Sequence, residues 1–165
     1  YIIMPAEAST NLARFDGVKY GLHKDGADLL GDYLATRGAG FGPEVRRRIL
    51  LGSYVLSSGY YDAYYGKAVA ARERIRATFA EAFKSVDIVA MPTAPAPAWR
   101  IGEKEDPLSA YLADVFTVTA NIAGIPAISL PSGKTTSGLP LGLQCMAARG
   151  REDVLFAAGK LFEGA

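Results

Sequence analysis

Asp87-Ile88-Val89-Ala90-Met91-Pro92 decides the fold class. Four consecutive apolar residues between an acid and a proline read as a strand over 87–91. An unbroken apolar run of this length suits a strand buried on both faces of an α/β sheet. Outward from it, Ala127–Leu130 and Leu141–Met146 read as two more strands. The Ser-, Thr- and Gly-bearing stretch 131–140 between them reads as a hairpin or an exposed excursion. Tyr1–Met4 reads as a fourth, short buried strand ended by Pro5. An apolar strand at residue 1 suggests a piece of a longer protein.

Between the strands the pattern is helical. Ala6–Leu12 and Asp28–Thr36 read as short helices, the second followed by a flexible Gly38-Ala39-Gly40. Pro43 and Glu44 suit the first turn of a helix running to about Ser58. Gly59 breaks it, and a further helix runs from Tyr60 to about Ser85. Its apolar positions Ile75, Phe79, Ala82, Phe83 and Val86 keep the spacing of one buried face, with Arg72, Arg74 and Arg76 on the solvated side. Residues 92–107 hold four of the nine prolines and read as a rigid irregular loop. Asp106-Pro107 signals a helix start, for a helix over 108–123 stopped by Gly124. A last helix spans 152–162. Helices alternating with apolar strands predict an α/β fold, a mixed β-sheet covered by helices. Four strands are too few to complete such a sheet, so the fold is expected to be incomplete in this chain.

The composition narrows function by exclusion. Half of the 165 residues are apolar and 21% are charged, a globular balance. Lysine and arginine total 18 against 17 acids, so no global basic excess points to nucleic acid. With one cysteine, Cys145 in an apolar run, a disulfide framework is excluded and a buried structural thiol in a reducing compartment is expected. One histidine, His23, leaves no Cys/His metal set. No apolar run approaches the roughly 20 residues needed to cross a bilayer.

The charged residues that remain point to a small zwitterion. Arg46-Arg47-Arg48 precedes the aromatic stretch Tyr60-Tyr61-Asp62-Ala63-Tyr64-Tyr65. Consecutive helical residues turn by about 100°, which spreads the three arginines around the helix and turns at least one toward the buried side. There a guanidinium forms a planar fork for a carboxylate. The alternative is a set of ion pairs with Glu44 or Asp62, and spacing does not choose among the three arginines. Asp114, among apolar neighbours in the helix 108–123, is either a solvated acid or a partner for a cation. An arginine and an aspartate facing one ligand would read the two charged ends of a free amino acid. Gly142 within a strand implies the close approach of another backbone or a ligand. Gln144, amid apolar residues, needs partners for its amide.

Several of these blocks are shared with a known family. Ala6-Glu7-Ala8-Ser9-Thr10-Asn11-Leu12-Ala13-Arg14-Phe15-Asp16-Gly17, the Arg46–Tyr65 stretch, Pro92-Thr93-Ala94-Pro95 and Gly138-Leu139-Pro140-Leu141-Gly142-Leu143-Gln144 resemble the amidase signature family. Within it they most resemble the glutamine-hydrolysing subunits of tRNA-dependent amidotransferases. The resemblance implies a Ser–cis-Ser–Lys triad, but neither Ser57-Ser58-Gly59 nor Ser132-Gly133-Lys134 matches the motif that carries it. Residues 1–165 are therefore expected to be the C-terminal portion of one amidase-signature domain, without the catalytic N-terminal portion and inactive alone.

What the resemblance carries over is substrate binding. Arg48 matches the arginine that holds the glutamine α-carboxylate, Asp114 the aspartate that holds the α-ammonium, and Tyr1 a tyrosine lining the pocket. Gln144 is a candidate supporting residue. The implied enzyme is cytoplasmic and releases ammonia from glutamine. A partner subunit using ATP and Mg would then amidate Glu-tRNA(Gln) or Asp-tRNA(Asn). Partner subunits B and C are implied, with tRNA reached through the complex only. The alternatives are a fragment of another amidase-signature amidohydrolase, and a non-catalytic docking module for the partner subunit.

Overall fold

The computed structural model describes residues 1–103 and 107–163. They form two compact units, Tyr1–Ala71 and Arg72–Ala165.

The first unit is helical. Helix α1 spans Ile3–Leu12, α2 Leu29–Gly40 and α3 Pro43–Val55. The expected strand over 1–4 is instead the start of α1. A short apolar run fits either state, and Pro5 lies within the first turn, where a backbone N–H has no helical partner to lose. Ile3, Pro5 and Ala6 are buried. They face α3, and Gly52 is the crossing point: a Cβ there would collide with the Pro5 carbonyl and lie 2.6 Å from Ser9 Oγ. Helix α2 begins on an Asp28 cap, whose carboxylate accepts from Gly31 N–H at 2.7 Å. It continues through Gly38-Ala39-Gly40, which are helical and not the expected flexible link, to Phe41, where Arg37 lies 4.9 Å over the ring. Buried Thr36 ties the preceding loop down, accepting from Lys24 N–H and donating to Lys24 C=O.

After α3, Gly59 takes φ +85°, and the chain forms a π-helix over Tyr61–Gly66 before α4, Lys67–Ala82. The long helix expected from Tyr60 thus opens on a wider turn. It brings Tyr54, Tyr60 and Tyr64 together, with Tyr54 and Tyr60 ring centres 4.3 Å apart. The hydrogen bond to Tyr60, burial and the neighbouring phenols push Tyr54 up to about 12.

The second unit carries the sheet. Strands β1 (Val89–Pro92), β2 (Ala127–Lys134) and β3 (Pro140–Met146) lie in the order β1-β3-β2, all pairs antiparallel. This portion of the sheet is antiparallel where a mixed sheet was expected. The 127–146 hairpin is as the sequence predicts, closed by a turn at Thr135–Gly138 with Gly138 at φ +85°. The expectation that β1 is buried on both faces fails, because β3 takes the central place. At the edge β1 alternates half-buried Val89 and Met91 with exposed Ala90 and Pro92, and an edge strand tolerates Pro92.

One sheet face packs on helix α7, Glu152–Glu163, through Leu130, Cys145, Ala147 and Leu155, flanked by Ile88, Ile128, Leu143 and Val154. Cys145 is a buried free thiol, as expected, and burial raises its pKa. Alternation along β3 turns Gln144 and Met146 to the opposite face, Gln144 between its cross-strand partners Met91 and Ser129, and Met146 between Val89 and Ala127.

The helix expected over 108–123 is two helices, α5 (Pro107–Leu112) and α6 (Thr117–Ala123). The Asp106 part of its start signal lies outside the described residues. Between the two, Ala113, Asp114 and Val115 donate to carbonyls three residues back, a tightened turn. Thr117 Oγ1 competes for the Asp114 carbonyl at 3.1 Å. Gly124 at φ +69° caps α6. Its N–H and that of Ile125 both reach the Ala120 carbonyl, and Pro126 ends the helix as the sequence predicts.

Candidate functional site

Arg46, Arg47 and Arg48 lie in the first half of α3; Arg47 and Arg48 share Glu44, and Arg46 has a backbone partner. None is buried; Arg48 is the half-buried one, against the expectation that one guanidinium turns inward. Partners at the helix surface engage them instead, an acid for Arg47 and Arg48 and a backbone carbonyl for Arg46. Arg46 Nη2 donates to the Gly38 carbonyl. Arg47 Nη1 donates to Glu44 Oε2 at 2.9 Å. Arg48 donates only Nε–H, to Glu44 Oε1 at 3.0 Å. Among the described residues, both terminal nitrogens of Arg48 are left uncommitted. The Nη1/Nη2 edge can take a carboxylate in two parallel hydrogen bonds. Glu44 is itself legible as a partner, one helical turn before Arg48.

Asp114 occupies the turn between α5 and α6 and is exposed. Its carbonyl accepts from Thr117 N–H and Val118 N–H, each at 3.0 Å. Among the described residues no hydrogen bond or ion pair engages its carboxylate, so it can take a cation. Gln144 is 4% exposed on central strand β3, and its Nε2 donates to the Phe116 carbonyl at 3.1 Å. The amide finds the partner that its burial demands, two residues from Asp114.

Tyr1 precedes α1 and is 51% exposed; it does not open a strand. Tyr1 and Arg48 belong to the first unit, Asp114 and Gln144 to the second.

Gly142 is the close approach that the sequence implied, but the neighbours are side chains. Thr93 Oγ1 and Ser129 Oγ lie 2.6 Å apart, and a Cβ on Gly142 would come within 2.8 Å of both. Thr93 N–H also donates to the Gly142 carbonyl at 2.9 Å. The hydroxyl pair sits in an open groove of about 710 Å³ walled by the proline-rich stretch after β1. Sequence reasoning gave neither hydroxyl a role. A threonine after β1 and a serine on β2, on either side of β3, carry no signal of pairing until the strand order and register are known.

Among the described residues no group of three His, Cys, Asp or Glu side chains could hold a metal, and no helix is long and apolar enough to cross a membrane.

Comparison with known proteins agrees with these blocks. The Amidase family model matches residues 1–156. The A subunit of glutamyl-tRNA(Gln) amidotransferase from Parvibaculum lavamentivorans is 57% identical over 166 residues, covering 100% of this chain and 34% of that protein. The same-named protein of Thermodesulfovibrio yellowstonii is 59% identical over 145 residues, covering 87% of this chain and 30% of that protein. The chain thus spans about a third of the length of the curated relatives it matches. Among solved structures, the same-named protein of Thermotoga maritima is 46% identical with a TM-score of 0.54, covering 77% of this chain and 26% of that one. A crystal structure of an amidase is 26% identical with a TM-score of 0.71, covering 99% of this chain and 33% of that one. With sequence blocks, α/β fold and family model in agreement, the chain belongs to the amidase family.

Proposed function

We propose that this chain supplies the substrate-orienting groups of the glutamine-hydrolysing subunit of a tRNA-dependent amidotransferase. Arg48 receives the glutamine α-carboxylate, Asp114 the α-ammonium, and Tyr1 lines the pocket. The observation that carries the reading is the state of Arg48. Its Nε is held by Glu44, and its terminal nitrogens are uncommitted among the described residues. Arg46 and Arg47 each spend a terminal nitrogen within the chain. The names of the relatives at 57% and 59% identity support the amidotransferase assignment.

In this reading the glutamine side-chain amide is attacked by a nucleophilic serine elsewhere in the complete protein. An acyl-enzyme forms, ammonia leaves, and water releases glutamate. Holding both ends of the amino acid fixes the amide carbon before attack, which lowers the barrier through orientation. The ammonia passes to partner subunits in the cytoplasm, where ATP and Mg activate the acyl group on tRNA.

The 165-residue chain lacks the paired-serine motif and is inactive by itself. The test is ammonia release from glutamine and from propionamide, by the chain and by the full-length enzyme. The expected result is no release by the chain and a strong preference for glutamine by the full-length enzyme. Preference for the neutral amide would replace this reading with a simple amidohydrolase. Release by the chain alone would overturn its assignment as a non-catalytic portion.

A further inference from the structure

The buried amide of Gln144 raises a question that packing alone does not answer. It lies on the central strand and is 4% exposed, with apolar Leu143, Cys145 and Met146 beside it in sequence. A leucine or methionine would fill that space without the cost of burying an amide. Its bond is directional: Nε2 donates to the Phe116 carbonyl at 3.1 Å. That acceptor fixes the orientation of the amide, since a carbonyl cannot accept from Oε1.

Phe116 is the N-cap of α6 and lies at the end of the tightened turn that carries Asp114. The turn is otherwise held by its own short-range bonds. Asp114 N–H reaches Tyr111 C=O, while Asp114 C=O accepts from Thr117 and Val118. Those bonds shape the turn but do not fix where it stands against the sheet. The Gln144–Phe116 bond does, tying it to a strand paired on both sides, with Met91 and Ser129 as the neighbours of Gln144.

We propose that Gln144 is a positioning residue for substrate recognition, setting the Asp114 carboxylate at the glutamine α-ammonium by pinning the Phe116 carbonyl to β3. The proposal rests on the assignment of Asp114 to the ammonium. It requires that Gln144 act through Asp114 and on no other part of the substrate. A hydrogen bond of this kind is worth about three- to tenfold in an equilibrium.

The test uses the full-length enzyme with two substrates, glutamine and glutaramate, which is glutamine without its α-amino group. The readout is the ratio of their kcat/KM values, which does not depend on the fraction of protein folded. Gln144→Met removes the donor at similar size. Gln144→Glu, while ionised, accepts but cannot donate. Both are expected to lower the glutamine-to-glutaramate ratio by about three- to tenfold, through KM for glutamine. In an Asp114→Ala background neither should lower it further. Equal losses on both substrates, or an undiminished further loss in the Asp114→Ala background, would overturn the positioning role. An unchanged ratio in Asp114→Ala itself would instead overturn the ammonium assignment, and the positioning role with it.

Discussion

Arg48 and Glu44 are joined by a single hydrogen bond, Nε–H to Oε1 at 3.0 Å, one helical turn apart on α3. The other carboxylate oxygen, Oε2, accepts from Arg47. A guanidinium is planar, so a bond at Nε fixes the direction of its Nη edge. Glu44 therefore does two things to Arg48. It orients the fork, and it offsets part of the charge of the basic triplet.

Glu44→Ala should consequently hurt substrate use more than stability. Exposed ion pairs contribute about 0.2–1 kcal/mol, so urea unfolding should shift by no more than that. KM for glutamine in the full-length enzyme should rise, with kcat less affected. An unchanged KM would mean that Arg48 needs no orientation, or is not the clamp.

The crossing of α1 and α3 predicts opposite outcomes for two glycines. At Gly52 a Cβ would collide with the Pro5 carbonyl, which is backbone and cannot swing away. Gly52→Ala should cost about 1–3 kcal/mol or more, the range for overpacking. Gly38, in α2, has nothing within 4 Å of a built Cβ. Gly38→Ala should stabilise by roughly 0.5–1 kcal/mol through helix propensity. Denaturant midpoints of the two variants check both signs.

Cys145 should resist thiol reagents at pH 8 in the folded protein and react after unfolding. Burial holds its pKa above the ordinary 9.0. A group whose folded pKa is raised contributes fully below its unfolded pKa, and the contribution is lost as pH rises through the folded value. The Cys145 contribution is thus intact at neutral pH and declines only in alkali above about pH 9. Cys145→Ser should flatten that alkaline decline in a stability–pH profile.

The sequence was informative where a single local cause decides the structure. The helix beginning next to Asp28, the Gly124 helix end and the 127–146 hairpin each follow from residues in contact along the chain. So did the thiol at Cys145 and the need of Gln144 for a partner. It misled where topology decides. Val89–Met91 is as apolar as a central strand, but the order β1-β3-β2 puts it at the edge. Tyr1–Met4 is as apolar as a strand, but Pro5 closes the first turn of a helix. The triplet at 46–48 looked too crowded to stay solvated, yet one glutamate and one backbone carbonyl give each arginine a partner at the helix surface. The Thr93–Ser129 hydroxyl pair needed the register of two strands on either side of Gly142, which no local pattern encodes.

The most direct test is the glutamine kcat/KM of the full-length enzyme with Arg48→Ala, Asp114→Ala and Arg46→Ala compared side by side. Removing one half of a charge-assisted contact in a desolvated site costs about 2–5 kcal/mol, or roughly 30-fold upward. Arg48→Ala and Asp114→Ala should each show such a loss. Arg46→Ala, which gives up a bond to the Gly38 carbonyl, should not. If Arg48→Ala stayed within about threefold of wild type, the triplet would be structural and the clamp assignment wrong.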